Sequence, residues 1–223
     1  QVAEGIAGTI DQGASTDWMD EITRVPVSQV HDVSLRGGNN TTSYILSLRY
    51  SDLNGIVKKS NNEKIYPRLE VNHSMFDGLL DLRANISGYQ QRYYSGSDGG
   101  SYDPDVYYNA LIYNPTAPVV DENGDWFENI NRNVYANPVA LLEETRGENQ
   151  NDNLKIYGTA AINPTNNLSI NILGSRDTYR SVRGYYETQN HISTVRDGRN
   201  GYASRGTTRS QEDLLEVTAE YDE

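Results

Sequence analysis

Hydrophobicity alternates with a period of two along seven stretches of this chain, and that pattern leaves few folds open. Within 43–51, Tyr44, Leu46, Leu48 and Tyr50 alternate with Ser43, Ser47, Arg49 and Ser51, and Ile45 breaks the order. Within 66–75, Leu69, Val71 and Met75 oppose Arg68, Glu70, Asn72 and Ser74. Within 80–89, Leu80, Leu82, Ala84 and Ile86 oppose Asp81, Arg83, Asn85 and Ser87. The same alternation runs through 154–162, 168–172 and 215–222, and more weakly through 27–36 with Val33 and Leu35. Side chains of a strand point to opposite faces in turn, so each stretch reads as a strand that is apolar on one side only. The expected fold class is all-β, and seven patterned strands argue against disorder.

Composition shows that the apolar faces do not build a thick core. Leu, Ile, Val and Phe together supply about a fifth of the 223 residues, near the level at which chains fail to fold in water. The net charge of −12 repels nucleic acid and anionic lipid surfaces, so no nucleic-acid partner is expected. With no Cys and three scattered His there is no thiolate chemistry, and no metal site or cofactor is expected. Tyr outnumbers Phe and Trp, 17 against 2 and 2, which suits half-wet rims, membrane interfaces and sugar-binding surfaces.

Charges in mid-strand, such as Arg68, Glu70, Asp81 and Arg83, fit a barrel with an apolar outside and a wet inside. A soluble sandwich with one solvated face gives the same alternation. Connector lengths help to separate the two and favour the barrel. Gly37-Gly38-Asn39-Asn40, Phe76-Asp77-Gly78 and 163–167 are short, whereas 51–63 is of medium length and 94–150 and 181–210 are long. Strict alternation puts tight turns on one rim and long loops on the other, as outer-membrane barrels do. Inside the long connections, short helices are expected after Asp103-Pro104-Asp105 and after Asn137-Pro138. A further one is expected with Thr16 as N-cap, and a hairpin around Asn123-Gly124.

Two chemical readings compete with loop structure. Asp121, Asn123 and Asp125 have the spacing of a calcium loop but lack its closing acid, and an Asn-Gly hairpin explains them equally. Glu143-Glu144 with Asp121 or Glu128 could form a glycosidase pair, but chance placement among 31 acids is the simpler explanation. No enzyme activity is expected.

The order of motifs resembles the SusC/RagA group of TonB-dependent outer-membrane transporters. The matching pieces are Thr16-Asp17-Trp18 with Asp20-Glu21-Ile22, Val33-Ser34-Leu35-Arg36-Gly37-Gly38, and Ser43-Tyr44 through Leu48-Arg49-Tyr50 to Gly55-Ile56. They continue with Asn114-Pro115-Thr116-Ala117-Pro118-Val119, Asn123-Gly124 with Trp126, Asn137-Pro138-Val139-Ala140, and Leu214-Leu215-Glu216-Val217-Thr218 with Tyr221-Asp222. The resemblance implies an antiparallel up-and-down meander forming part of a transmembrane β-barrel, with short helices in long extracellular loops. It implies a piece of the early barrel, without the family's signal peptide, N-terminal extension, TonB-contacting segment, plug or most of its roughly 22 strands. On this expectation 1–26, 94–150 and 182–210 are extracellular, and 27–93, 151–181 and 211–223 carry strands one to four, five to six and seven.

The implied function is import of an oligomeric nutrient, glycan or peptide, into the periplasm across the bacterial outer membrane. The implied partners are a SusD-like surface lipoprotein acting as a lid, TonB, and the lipid bilayer. The alternative is a secreted β-sandwich that binds carbohydrate. Loop residues expected to touch substrate or lid are Tyr94, Tyr102, Tyr108, Trp126, Tyr185 and Tyr186. Those expected to face the lumen are Arg68, Glu70, Asn72, Asp81, Arg83 and Asn85.

Overall fold

The computed structural model describes residues 11–94, 106–128 and 135–222. A short helix α1 (Trp18–Ile22) precedes four strands, β1 (Gln29–Gly38), β2 (Thr42–Asn54), β3 (Asn61–Met75) and β4 (Leu80–Tyr94). Helices α2 (Val106–Ile112) and α3 (Pro138–Glu143) lead to β5 (Thr145–Thr165) and β6 (Leu168–Glu187). Helix α4 (Ile192–Arg196) comes before β7 (Tyr202–Tyr221). The seven strands form one antiparallel sheet in sequence order. The sheet is open, and no second sheet is present among the described residues, which removes the sandwich alternative.

Register turns the separate alternations into one surface. One rung joins Leu35, Leu46, Leu69, Ile86 and Ile156 across β1 to β5. Two others join Leu82, Ala160, Ile172 and Val217, and Leu80, Ile162, Ile170 and Ala219, across β4 to β7. A slip of one residue in any strand would break these rungs, so the apolar pattern itself specifies the pairing. Among the described residues nothing covers the band: Leu35 is 57% exposed, Leu46 48%, Ile86 44% and Val217 62%. A contiguous apolar surface of this size on a folded chain marks contact with a lipid or protein surface.

The strands run longer than alternation alone suggests. β5, β6 and β7 have 21, 20 and 20 residues, about twice the 9–11 that cross a bilayer. Their upper halves are polar on both faces, as in Gln150-Asn151-Asp152-Asn153, so no period announces them. The connections are correspondingly shorter than expected, 95–144 rather than 94–150 and 188–201 rather than 181–210.

The buried core lies outside the sheet's apolar band. Trp18, Ile22, Val106, Tyr113, Leu141, Leu142 and Ile192 come from α1, α2, α3, α4 and their flanks and pack into one cluster. The connections after β2, β4 and β6 leave the same rim of the meander, so these segments meet. The helix expected after Thr16 starts one residue later. Asp17 is its N-cap and its carboxylate accepts the Met19 and Asp20 N–H groups, while the Thr16 hydroxyl donates to the Ala117 carbonyl. The cap expected for α2 at Asp103-Pro104-Asp105 lies outside the described residues. Asn137 caps α3 as expected. Helix α4, capped by the ring of His191, has no counterpart among the expectations, because histidine is not a usual N-cap.

Candidate functional site: the polar face and the loop cluster

The face opposite the apolar band carries the hydrogen-bonding side chains. The Arg68 guanidinium lies 2.8 Å from the Glu70 carboxylate, and Arg83 Nε donates to Asn72 Oδ1 at 2.9 Å. Asn72 in turn donates to the Ser43 hydroxyl at 3.3 Å, so β2, β3 and β4 are cross-linked on this side. Asn85 pairs with Glu70 across β3 and β4, and Asp81 lies at the lower end of the same face. The six residues expected to face a lumen therefore share one side of the sheet.

This face is concave. Ser43 of β2, Asp81 and Arg83 of β4, and Glu216 and Thr218 of β7 line one hollow of about 650 Å³. Strands five places apart contribute to it, which requires the sheet to curl toward its polar side. Higher up, an amide ladder crosses four strands. Tyr179 Oη donates to Asn151 Oδ1 at 3.1 Å, Asn151 Nδ2 to Gln91 Oε1 at 3.2 Å, and Gln91 Nε2 to Asn62 Oδ1 at 3.0 Å. The alternation passed over these residues because their strands are polar on both sides there.

Above the ladder the same face is covered by the loop cluster. On upper β5 and β6, Thr145, Asn149, Ser181, Tyr185 and Glu187 of this face are buried, with Arg183 among them exposed, whereas Arg146, Glu148 and Tyr186 of the other face are exposed. Residues from the segment before β1 and from the connections after β4 and β6 hold the cluster together. Trp18 Nε1 donates to the Asn114 carbonyl at 2.9 Å, and its ring meets Tyr113 edge-on with 4.8 Å between centroids. Trp126 Nε1 donates to Glu144 Oε1 at 2.6 Å, and Thr188 Oγ1 donates to the second oxygen of Glu144. The hairpin at 119–127 forms as expected, with Val120 bridged to Trp126 and Gly124 at φ 86°.

The acids considered for chemistry all have structural partners. Asp121 Oδ1 accepts the N–H groups of Asn123 and Asp125 at 2.8 and 3.0 Å, which is loop-closing geometry. Glu143 lies 2.9 Å from Lys59 Nζ, and Glu128 accepts the Asn137 N–H through both oxygens, at 3.0 and 3.1 Å. Burial pushes the Glu128 carboxyl up to about 7, against the opposing pull of that N–H and of Arg196. Among the described residues, no group of three or more metal-ligating side chains occurs.

The loop aromatics divide by burial. Tyr94 and Tyr185 are each only 8% exposed, with the Tyr94 ring against Gly147 and the Tyr185 hydroxyl donating to Glu187 at 2.7 Å. Tyr108 and Tyr186 are 55% and 43% exposed, and Trp126 is half-buried. Tyr102 lies outside the described residues.

Sequence and fold comparisons agree with this architecture. No family model matches the chain. It is 33% identical over 153 residues to the TonB-dependent receptor SusC of Bacteroides thetaiotaomicron, covering 58% of this chain and 15% of that protein. It is 26% identical over 210 residues to the TonB-dependent receptor P26 of Formosa agariphila, covering 93% and 20%. The RagAB peptide transporter superposes with a TM-score of 0.73 at 19% identity, over 96% of this chain and 24% of that one. The RagAB importer in its open-open state gives 0.72 at 20% identity, over 92% and 23%. The chain thus spans between a seventh and a quarter of the length of the proteins it matches. The SusC/RagA resemblance drawn from the motifs is borne out by curated receptors in sequence and by solved transporters in fold.

Proposed function

We propose that this chain forms a sector of the wall and outer mouth of a TonB-dependent importer in a bacterial outer membrane. The observation that carries the reading is the curled sheet with an uncovered, in-register apolar band outside and a charged, amide-bearing face inside. A bilayer supplies the missing cover for the band, and a water-filled lumen supplies solvent for the other face. The tight turns then lie at the periplasmic rim, and the connections 55–60, 95–144 and 188–201 lie outside the cell. The cargo is an oligomeric nutrient, glycan or peptide, and no bond is made or broken in it.

A SusD-like lipoprotein lid and TonB are the proposed partners, by analogy with the matched receptors. Exposed Tyr108 and Tyr186, with half-buried Trp126 on the hairpin, are the proposed contacts for substrate or lid. Flat aromatics suit both roles at low entropic cost. Burial gives Tyr94 and Tyr185 the task of holding the upper wall together.

Uptake measures this reading directly. Cells bearing the protein should accumulate a fluorescent peptide or oligosaccharide pool, and collapse of the proton-motive force should abolish accumulation. Accumulation that is indifferent both to the protein and to the proton-motive force would remove import as its function. A Trp126→Ala barrel that inserts normally and imports normally would take that residue out of the contact surface.

A further inference from the structure

On the concave face the charges segregate by strand: β6 and β7 carry Asp177, Glu187, Glu212, Glu216 and Glu220 against Arg183, and the other basic residues lie on β1 to β5. The whole chain has 19 basic and 31 acidic residues, yet the concave face of β1 to β5 carries six basic residues and three acidic ones. The basic ones are Arg36, Arg49, Lys64, Arg68, Arg83 and Lys155. Four of them cluster at the height of the upper apolar band, on the opposite face. Arg68 and Lys155 lie on one rung on either side of Ser87, Lys64 stands four residues along β3 from Arg68, and Arg49 pairs with Tyr66 between them.

Two of these cations form no ion pair within 4 Å among the described residues. Lys64 Nζ sits 4.0 Å from the centre of the Tyr89 ring, a contact that fixes the ammonium without neutralising it. Asp177, the acid that faces Lys155 across β5 and β6, accepts Asn153 Nδ2 at 2.7 Å instead. Among the described residues, no carboxylate lies within 4 Å of either ammonium, whereas Arg68 has Glu70 at 2.8 Å and Arg49 has Asp32 at 3.8 Å. The amide ladder from Asn62 to Tyr179 runs along the upper edge of the cluster and adds hydrogen-bonding capacity.

From this arrangement we propose that the strip around Lys64 and Lys155 is a binding track for carboxylate groups, and that the imported oligomer is anionic. The proposal rests on the import reading and deepens it. Cations on a confined wall flanked by low-dielectric material raise the local concentration of anions, and basic rings serve the same purpose in anion-selective pores. An acidic peptide and a uronic-acid oligosaccharide share the carboxylate, and both can lay a flat or aliphatic face on Tyr66 or Tyr89.

Binding to the purified full-length protein in detergent tests the track separately from transport. The probes are tetraglutamate and tetragalacturonate, each beside its neutral counterpart, tetraglutamine and maltotetraose. One acidic probe should bind more tightly than its neutral counterpart at low salt, and that preference should shrink as salt screens it. Lys64→Gln with Lys155→Gln should weaken the acidic probe about tenfold, as two part-exposed ion pairs would, and leave the neutral one unchanged. Lys64→Glu with Lys155→Glu should reverse the preference toward tetralysine. Which acidic probe responds assigns the cargo class. Equal loss for acidic and neutral probes would mean the lysines support the fold, and no acidic preference in the unaltered protein would overturn the track. Either result leaves import itself to the uptake measurement.

Discussion

Glu128 shows how the loop cluster depends on single side chains. Its carboxylate lies in the cluster near Tyr113 and Arg196 and accepts the Asn137 N–H. The folded value of about 7 exceeds the ordinary 4.5, so the folded loop holds the proton more tightly than the unfolded one. Its contribution is therefore fully present below pH 4.5 and is lost as pH rises to about 7, on the order of 2–3 kcal/mol in all. His191 has the opposite sign, because burial lowers its value and stability then falls as pH drops below 6.5. The difference between wild type and Glu128→Gln isolates the glutamate. Thermal melts of the loop cluster should show the variant gaining on wild type between pH 5 and pH 8, and a constant difference would place Glu128 in solvent. On the strands, Val71 and Asn72 are neighbours on opposite faces. Arg at a lipid-facing midplane site costs roughly 2–4 kcal/mol, so Val71→Arg should depress assembly of the full-length barrel far more than Asn72→Arg. Equal yields of heat-modifiable barrel on gels would reverse the face assignment.

Among the elements, α3 and the 119–127 hairpin form one unit through Asn137. Its side chain accepts the Val139 and Ala140 N–H groups and donates to the Val119 carbonyl at 2.8 Å, fully buried. Asn137→Ala removes a cap worth about 1 kcal/mol and one of the two hydrogen bonds to the Val119 carbonyl, which keeps the Phe127 N–H at 3.2 Å. Amide exchange should speed up in α3 and the hairpin while β3 and β4 keep their protection; unchanged exchange in α3 would contradict the capping role. This unit was legible from Asn137-Pro138 and Asn123-Gly124, because caps and tight turns are local chemistry. Strand centres were legible for the same reason, since alternation needs only neighbours. The upper halves of β5 to β7 were not. There both faces are polar, and pairing rests on backbone bonds and cross-strand amides that no period records. Nor was the loop core, whose Trp18, Tyr113, Leu142 and Ile192 are scattered over 175 positions and meet only because their connections share a rim.

Across the whole molecule the exposed apolar area and the buried core have exchanged their usual places. The sheet exposes its leucines and isoleucines, and the only buried apolar cluster among the described residues is the cap of short helices at one rim. On the proposed reading a bilayer wraps the band and the loop rim faces outward. The chain itself has no Cys, so a single cysteine placed in it reports sidedness by comparison with the unsubstituted protein. In intact cells a membrane-impermeant maleimide should label Glu122→Cys, in the hairpin on the loop rim. It should leave Asp77→Cys, in the tight turn on the other rim, unlabelled until the outer membrane is opened. Labelling of Asp77→Cys in intact cells, with Glu122→Cys protected, would contradict the orientation and with it the account of the wall.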